Sequence, residues 1–145
     1  MSSTMTIIAA LGCGLMAGVF LAFSAMVLPG LRRIGPAEAV AAMRAINTAV
    51  VNPVFITVFV GTAFASVLAA AMGGTVAGWV GAAAYGVGGF GLTVAYHVPR
   101  NERLERAASP EFWARYVREW VPANHVRAFA SLVAAVAFTI AAVQA

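Results

Sequence analysis

The sequence predicts an all-α membrane protein, a four-helix transmembrane bundle in a single domain over residues 1–145, with short amphipathic interfacial helices in the two cytoplasmic connections. Three observations carry this. The chain is 62% hydrophobic and only 10% charged, with a mean hydropathy of +0.89, whereas a soluble domain carries roughly a quarter charged residues. Its apolar runs are continuous rather than alternating. In lipid that selects helices, because each unpaired backbone group costs several kcal/mol. The charges, finally, gather in two segments.

Four runs reach the length of about 20 apolar residues that crosses a bilayer: residues 7–28, 53–72, 75–96 and 126–143. Apart from Arg127, near the start of the last, none holds a charge. The first is expected to remain as a helix rather than act as a cleaved signal, because "MSSTMT" before it lacks positive charge. Between the second and third lies only "MGGT", residues 72–75, a tight turn that makes an antiparallel hairpin.

All nine basic residues are arginines. Arg32, Arg33 and Arg44 follow the first run, and Arg100, Arg103, Arg106, Arg115, Arg118 and Arg127 surround the third connection. The five acids, Glu38, Glu102, Glu105, Glu111 and Glu119, lie in the same segments. With alternating spans, one face carries this charge, and the excess of arginine makes it cytoplasmic. The chain is therefore expected in the inner (plasma) membrane, multi-pass, with both termini outside. A pI near 10.2 reflects those loops rather than nucleic-acid binding, since no extended basic run is present. The lone Cys13 excludes an internal disulfide.

The long connections read as helices. "PAEAVAAMRAIN", residues 36–47, has proline at a first helical position and apolar residues spaced for one face. "PEFWARYVREWV", residues 110–121, sets Trp113, Tyr116, Val117 and Trp120 on one stripe, with Glu111, Arg115, Arg118 and Glu119 opposite. The Glu111–Arg115 and Arg115–Glu119 spacings add a few tenths of a kcal/mol each. Pro122 is expected to open the last span as a separate helix. Glycines such as Gly14, Gly18, Gly81 and Gly88 mark faces for close helix packing, or for a homo-oligomer through the same faces.

Polar groups cluster where the apolar runs meet the charged end: Asn47 and Asn52, His97 and Asn101, and Asn124, His125 and Arg127. Ionisable groups at that depth are candidates for function. Each also has a structural alternative. Asn52 before Pro53 suits a helix cap, and Asn124 suits a first turn. Arg127 suits snorkelling to headgroups, and His97 suits bonding to a carbonyl where Pro99 frays a helix. Two histidines fall short of the three or four ligands that zinc or iron sites use. Cys13 lies roughly 20 Å away in depth at 1.5 Å per residue. No cofactor is expected, the alternatives being a metal site shared between subunits or a haem. Ser24 lies at the right end to approach His97, but no nucleophile or phosphate-loop motif surrounds it.

Four stretches in order, "GLMAGVFLAFSAMVLPGL", "MRAINTAVVNPVF", "HVPRNERL" and "WARYVREWVPANHVR", resemble the anthrone-oxygenase-like family of small four-helix membrane proteins. The matching positions are Asn47, Asn52, Pro53, Pro99, Asn101, Trp120, Asn124 and Arg127; where the family usually begins the third motif with asparagine, this chain has His97. The resemblance implies a pocket at the cytoplasmic end and oxidation of a lipophilic aromatic, anthrone-like molecule by dioxygen, with substrate arriving through the bilayer. A base, an anion clamp and a dry pocket would suffice. His97 would serve as base, and Arg127, Asn101 and Asn124 would bind the anion. Asn47, Asn52, Trp113, Tyr116, Trp120 and His125 would contact the substrate. The alternatives are a non-catalytic membrane subunit or binding module, or a haem or metal protein.

Overall fold

The computed structural model describes residues 2–144, which form five helical rods joined by short turns, with no strand among them. The first rod is α1 (Ser2–Ala22), which passes through a π-helical turn (Phe23–Val27) into α2 (Leu28–Leu31). Helix α3 (Pro36–Ala49) and helix α4 (Pro53–Gly73) follow. The fourth rod starts as α5 (Val76–Ala83), continues through π-helical segments Ala84–Gly91 and Thr93–His97, and ends as α6 (Val98–Ala107). Helix α7 (Pro110–Gln144) completes the chain. Three stretches, Ser3–Leu31, Pro53–Gly73 and Pro110–Gln144, are long and apolar enough to cross a membrane.

The expected third span, residues 75–96, is helical but divided. Glycines 86, 88, 89 and 91 fall in its first π-helical segment, where the weak helix preference of glycine leaves the hydrogen-bond register free to shift.

Local chemistry explains most boundaries. Asn52, extended, caps α4: its Oδ1 accepts from Phe55 N at 3.0 Å and Pro53 takes the first helical position. At the other end Gly74 adopts φ 63°, the left-handed conformation that closes a helix, and its N–H reaches Ala70 O at 2.9 Å. Thr75 then caps α5, accepting from Gly78 N at 3.0 Å. The "MGGT" turn is thus a stop signal joined directly to a start signal. Helix α3 begins at Pro36, as the sequence indicates, and runs two residues beyond Asn47.

Two expectations are corrected. Pro122 does not start a new helix: it lies inside α7, which runs unbroken from the charged connection into the last apolar run. A proline inside a helix costs about 3 kcal/mol because it lacks an N–H and crowds the carbonyl four residues back. The neighbouring rod meets the carbonyls that follow, since Tyr96 Oη donates to Glu119 O and His97 Nε2 lies against Trp120 O, both at 3.3 Å. Pro99, likewise, does not fray the helix after His97; it enters α6 in the first turn, and the helix continues to Ala107.

Neighbouring rods run antiparallel. Gly12 and Cys13 of α1 face Thr62 and Ser66 of α4, with Cys13 Sγ 3.7 Å from Ser66 Oγ. A Cβ at Gly88 would stand 2.3 Å from Ala130 Cβ, and one at Gly81 2.8 Å from the Phe138 ring, so these two glycines do permit close packing. Gly18 and Gly86 meet nothing within 4 Å. One core runs along the apolar rods through Met16, Phe20, Phe59, Tyr85 and Phe138. A second, at the charged end, joins Leu28, Met43 and Leu104 to the predicted stripe of Trp113, Tyr116, Val117 and Trp120, all buried.

Candidate functional site

Between the two cores lies a cavity of about 610 Å³. Phe20 and Phe23 come to it from the first rod, Asn47 from α3, Phe55 and Phe59 from α4, Thr93, His97 and Asn101 from the fourth rod, and Trp120 and Arg127 from α7. Its wall is mainly aromatic and aliphatic, and Phe59 stacks on Phe55 and Phe90 at centroid distances of 5.7 and 5.0 Å.

The polar floor is Arg127, only 5% exposed. Its Nη2 donates to Asn124 Oδ1 at 2.6 Å and its Nη1 to Thr93 Oγ1 at 3.1 Å, while Nε has no partner. Its Cζ stands 4.3 Å from the Phe20 ring centroid and 5.1 Å from that of Trp120. Every ion pair among the described residues involves other arginines, so this guanidinium is held by neutral oxygens and ring faces. Thr93 Oγ1 in turn donates to Gly89 O at 2.7 Å.

One turn apart on α7, Tyr116 Oη and Trp120 Nε1 both donate to Asn101 Oδ1, at 2.8 and 3.0 Å. The single oxygen of Asn101 therefore fixes both rings, and the Trp120 indole is locked in the cavity wall. His97, 1% exposed, packs edge-on against Trp120 at 4.9 Å. Its Nδ1 lies 3.3 Å from Leu92 O and its Nε2 3.3 Å from Trp120 O.

Outside the apolar layer, Glu102 and Glu105 of α6 border the cavity, both exposed. Glu105 pairs with Arg44 of α3, whose Nε donates to Oε2 at 2.9 Å. That hydrogen bond holds the Glu105 carboxyl below the usual carboxylate range and the Arg44 guanidinium above its own. The expected Arg115–Glu119 pair forms at 2.9 Å, and Glu119 also takes Arg100 at 3.0 Å.

The sequence-selected residues therefore divide. Asn47, His97, Asn101, Trp120 and Arg127 line one cavity. Asn124, fully buried, stands behind Arg127 and donates to Phe20 O at 2.8 Å and Ser24 Oγ at 2.7 Å. Ser24 thus meets Asn124, with no bond to His97. Trp113 and Tyr116 lie in the adjoining core, stacked at 5.7 Å. Asn52 is exposed and spent on its cap, where Nδ2 also donates to Ala49 O at 2.9 Å. His125 is exposed, on a different face of α7 from buried Arg127. Among the described residues no group of three or more His, Cys, Asp or Glu side chains gathers.

Sequence reading missed Phe20 and Thr93. The signal for Thr93 was present, a hydroxyl in the apolar run four residues before His97. Phe20 carries none, being one phenylalanine among nine.

The family model described as anthrone oxygenase matches residues 41–137. No curated protein and no solved structure matches the chain. The matched stretch reaches from α3 into α7 and contains the whole cavity wall except the part supplied by the first rod. Covering well over half of the sequence, that match makes this chain a member of the anthrone oxygenase family.

Proposed function

We propose that the chain is a membrane oxygenase that binds a lipophilic aromatic molecule of the anthrone type as its conjugate base and lets dioxygen oxidise it. The observation that carries this reading is Arg127, a buried cation without a carboxylate on the edge of an aromatic cavity. A buried charge lacking its counterion is costly, and an incoming anion would compensate it. The volume and the aromatic wall suit a flat, fused-ring ligand.

The chemistry asks little else of the protein. Loss of the acidic C–H proton of an anthrone gives an aromatic enolate, and such an anion reduces dioxygen directly. Overall the methylene becomes a carbonyl, one oxygen atom enters the product and the other leaves as water. Arg127 holds the enolate oxygen, in surroundings where one such donor is worth about 3 kcal/mol of transition-state stabilisation. Asn124 aims the guanidinium and Asn101 fixes the Trp120 face against which the rings lie.

His97 acts as a neutral tie between rods rather than as the base. A neutral imidazole has one N–H, carbonyls already stand against both ring nitrogens, and a second charge beside Arg127 would be disfavoured. The proton leaves instead towards the exposed carboxylate of Glu102 at the cavity border.

In the bilayer, α1, α4, the fourth rod and α7 form a four-helix transmembrane bundle, with α3, α6 and the start of α7 at the cytoplasmic surface and both termini outside. The segregation of arginines supports that orientation. The direct test is dioxygen uptake by the purified protein in nanodiscs supplied with an anthrone. Uptake with stoichiometric quinone formation above the uncatalysed rate is expected; a rate equal to that of empty nanodiscs overturns the proposal.

A further inference from the structure

A guanidinium carries five N–H groups. In Arg127 one goes to Asn124 Oδ1 and one to Thr93 Oγ1, and the three others, that of Nε among them, have no acceptor among the described residues. Both acceptors are neutral, so the buried charge and most of its donors wait for an anion. A single enolate oxygen meets them only in part. A carboxylate presents two coplanar oxygens, which the planar fork of arginine matches in pairs.

Exposed side chains that also line the cavity mark its mouth, and they are of two kinds. Thr48, Glu102 and Glu105 are polar; Val51, Ile56 and Val98 are apolar and 70, 42 and 41% exposed. Ile56 lies within the stretch Pro53–Gly73, long and apolar enough to cross a membrane. Val98 directly follows the last π-helical segment of the fourth rod, one turn before Glu102. The apolar part of the mouth therefore opens towards lipid, where acyl chains would meet it. A flat ring held inside the chamber makes no use of that opening, whereas a hydrocarbon chain attached to an anion fills it. The reverse orientation is disfavoured, because Glu102 and Glu105 repel a carboxylate left at the mouth. A chamber of about 610 Å³ suits one small ligand. A single-chain acid brings only its carboxyl group and one chain, while a phospholipid phosphate would carry in glycerol and a second chain.

We propose that the cavity also binds a long-chain fatty acid, its carboxylate on Arg127 and its chain leaving between Val51, Ile56 and Val98 into the bilayer. This adds a second ligand class to the chamber and is independent of the oxygenase chemistry. Only its consequence, that free fatty acid competes with an anthrone, rests on the proposed function.

The test is native mass spectrometry of the protein released from phosphatidylcholine nanodiscs, whose lipid has no net charge, after loading at alkaline pH with equal mole fractions of laurate or methyl laurate. Wild type is expected to retain laurate at least about tenfold more than the ester, which offers no charge to the guanidinium. Arg127→Gln is expected to bring laurate down to the level of the ester, and Asn124→Asp, which supplies a counterion from within, to do the same. Val98→Asp sets a carboxylate against the chain and is expected to lower laurate retention at least about fivefold. Equal retention of acid and ester by wild type overturns the inference, as does a preference for the acid that survives in both Arg127→Gln and Asn124→Asp, or laurate held undiminished by Val98→Asp. Dioxygen uptake with an anthrone in the same nanodiscs separates the two proposals: uptake without laurate retention overturns the inference alone, and laurate retention without uptake overturns the proposed function alone.

Discussion

Arg127 Nη2 donates to Asn124 Oδ1 at 2.6 Å, and Asn124 is itself tied to α1 through Phe20 O and Ser24 Oγ. The first rod therefore aims a cation carried by the last. Because the aiming residue is an amide, it positions the charge without cancelling it. Asn124→Asp places a carboxylate against the guanidinium and supplies the counterion internally. Affinity for an anthrone anion is expected to fall at least about tenfold, as a buried pair removes the demand for a second anion. Anaerobic titration checks this, with circular dichroism confirming that helix content is kept.

His97 separates a tie from a base. In His97→Gln the carboxamide keeps an N–H to offer Trp120 O but has no proton-accepting nitrogen. Turnover is expected to stay within a few-fold of wild type, whereas His97→Leu lowers thermal stability by removing the imidazole that ties the fourth rod to Trp120 O. A loss of about a hundredfold in kcat for the glutamine variant, the scale of general-base catalysis, would restore the histidine as base.

Asn52 marks the boundary of the site. Its side chain caps α4 and does not line the cavity. Asn52→Ala is expected to cost about 1 kcal/mol, lowering the melting temperature by roughly 4 °C, with ligand affinity unchanged. A melting curve and a titration on the same sample decide it.

Most of this architecture was legible in the sequence. Uninterrupted apolar runs, arginines confined to two connections and "MGGT" each act through local chemistry that no distant residue alters. The aromatic stripe at 113, 116, 117 and 120 obeyed simple helical periodicity. Pro122 misled because its cost is local, whereas α7 is held on both sides of it by bonds to other rods. Polar residues could be placed at one end from the spans alone, yet nothing local separates Asn101, which holds Tyr116 and Trp120, from Asn52, which caps a helix. That difference comes from side-chain direction in the packed bundle. The same holds for Asn124, whose partner Phe20 lies 104 residues away.

The Arg44–Glu105 pair joins α3 to α6 at the cavity border and responds to pH. Its hydrogen bond lowers the Glu105 carboxyl in the folded protein, so its contribution is complete above the unfolded glutamate value of about 4.3 and disappears as pH falls through the lower folded value. Amide hydrogen exchange in α3 is expected to quicken over that acidic interval. In Glu105→Gln that part of the pH dependence should be missing, with exchange already fast at neutral pH.

Arg127 is a buried cation that waits for an anion, and the kcat for dioxygen uptake with an anthrone, wild type against Arg127→Gln, measures that most directly. Since the variant removes an unpaired buried charge, it is expected to insert and fold. The predicted result is a fall of about a hundredfold or more, the loss typical of one oxyanion donor, with circular dichroism unchanged. A folded Arg127→Gln protein that turns over at the wild-type rate would contradict it.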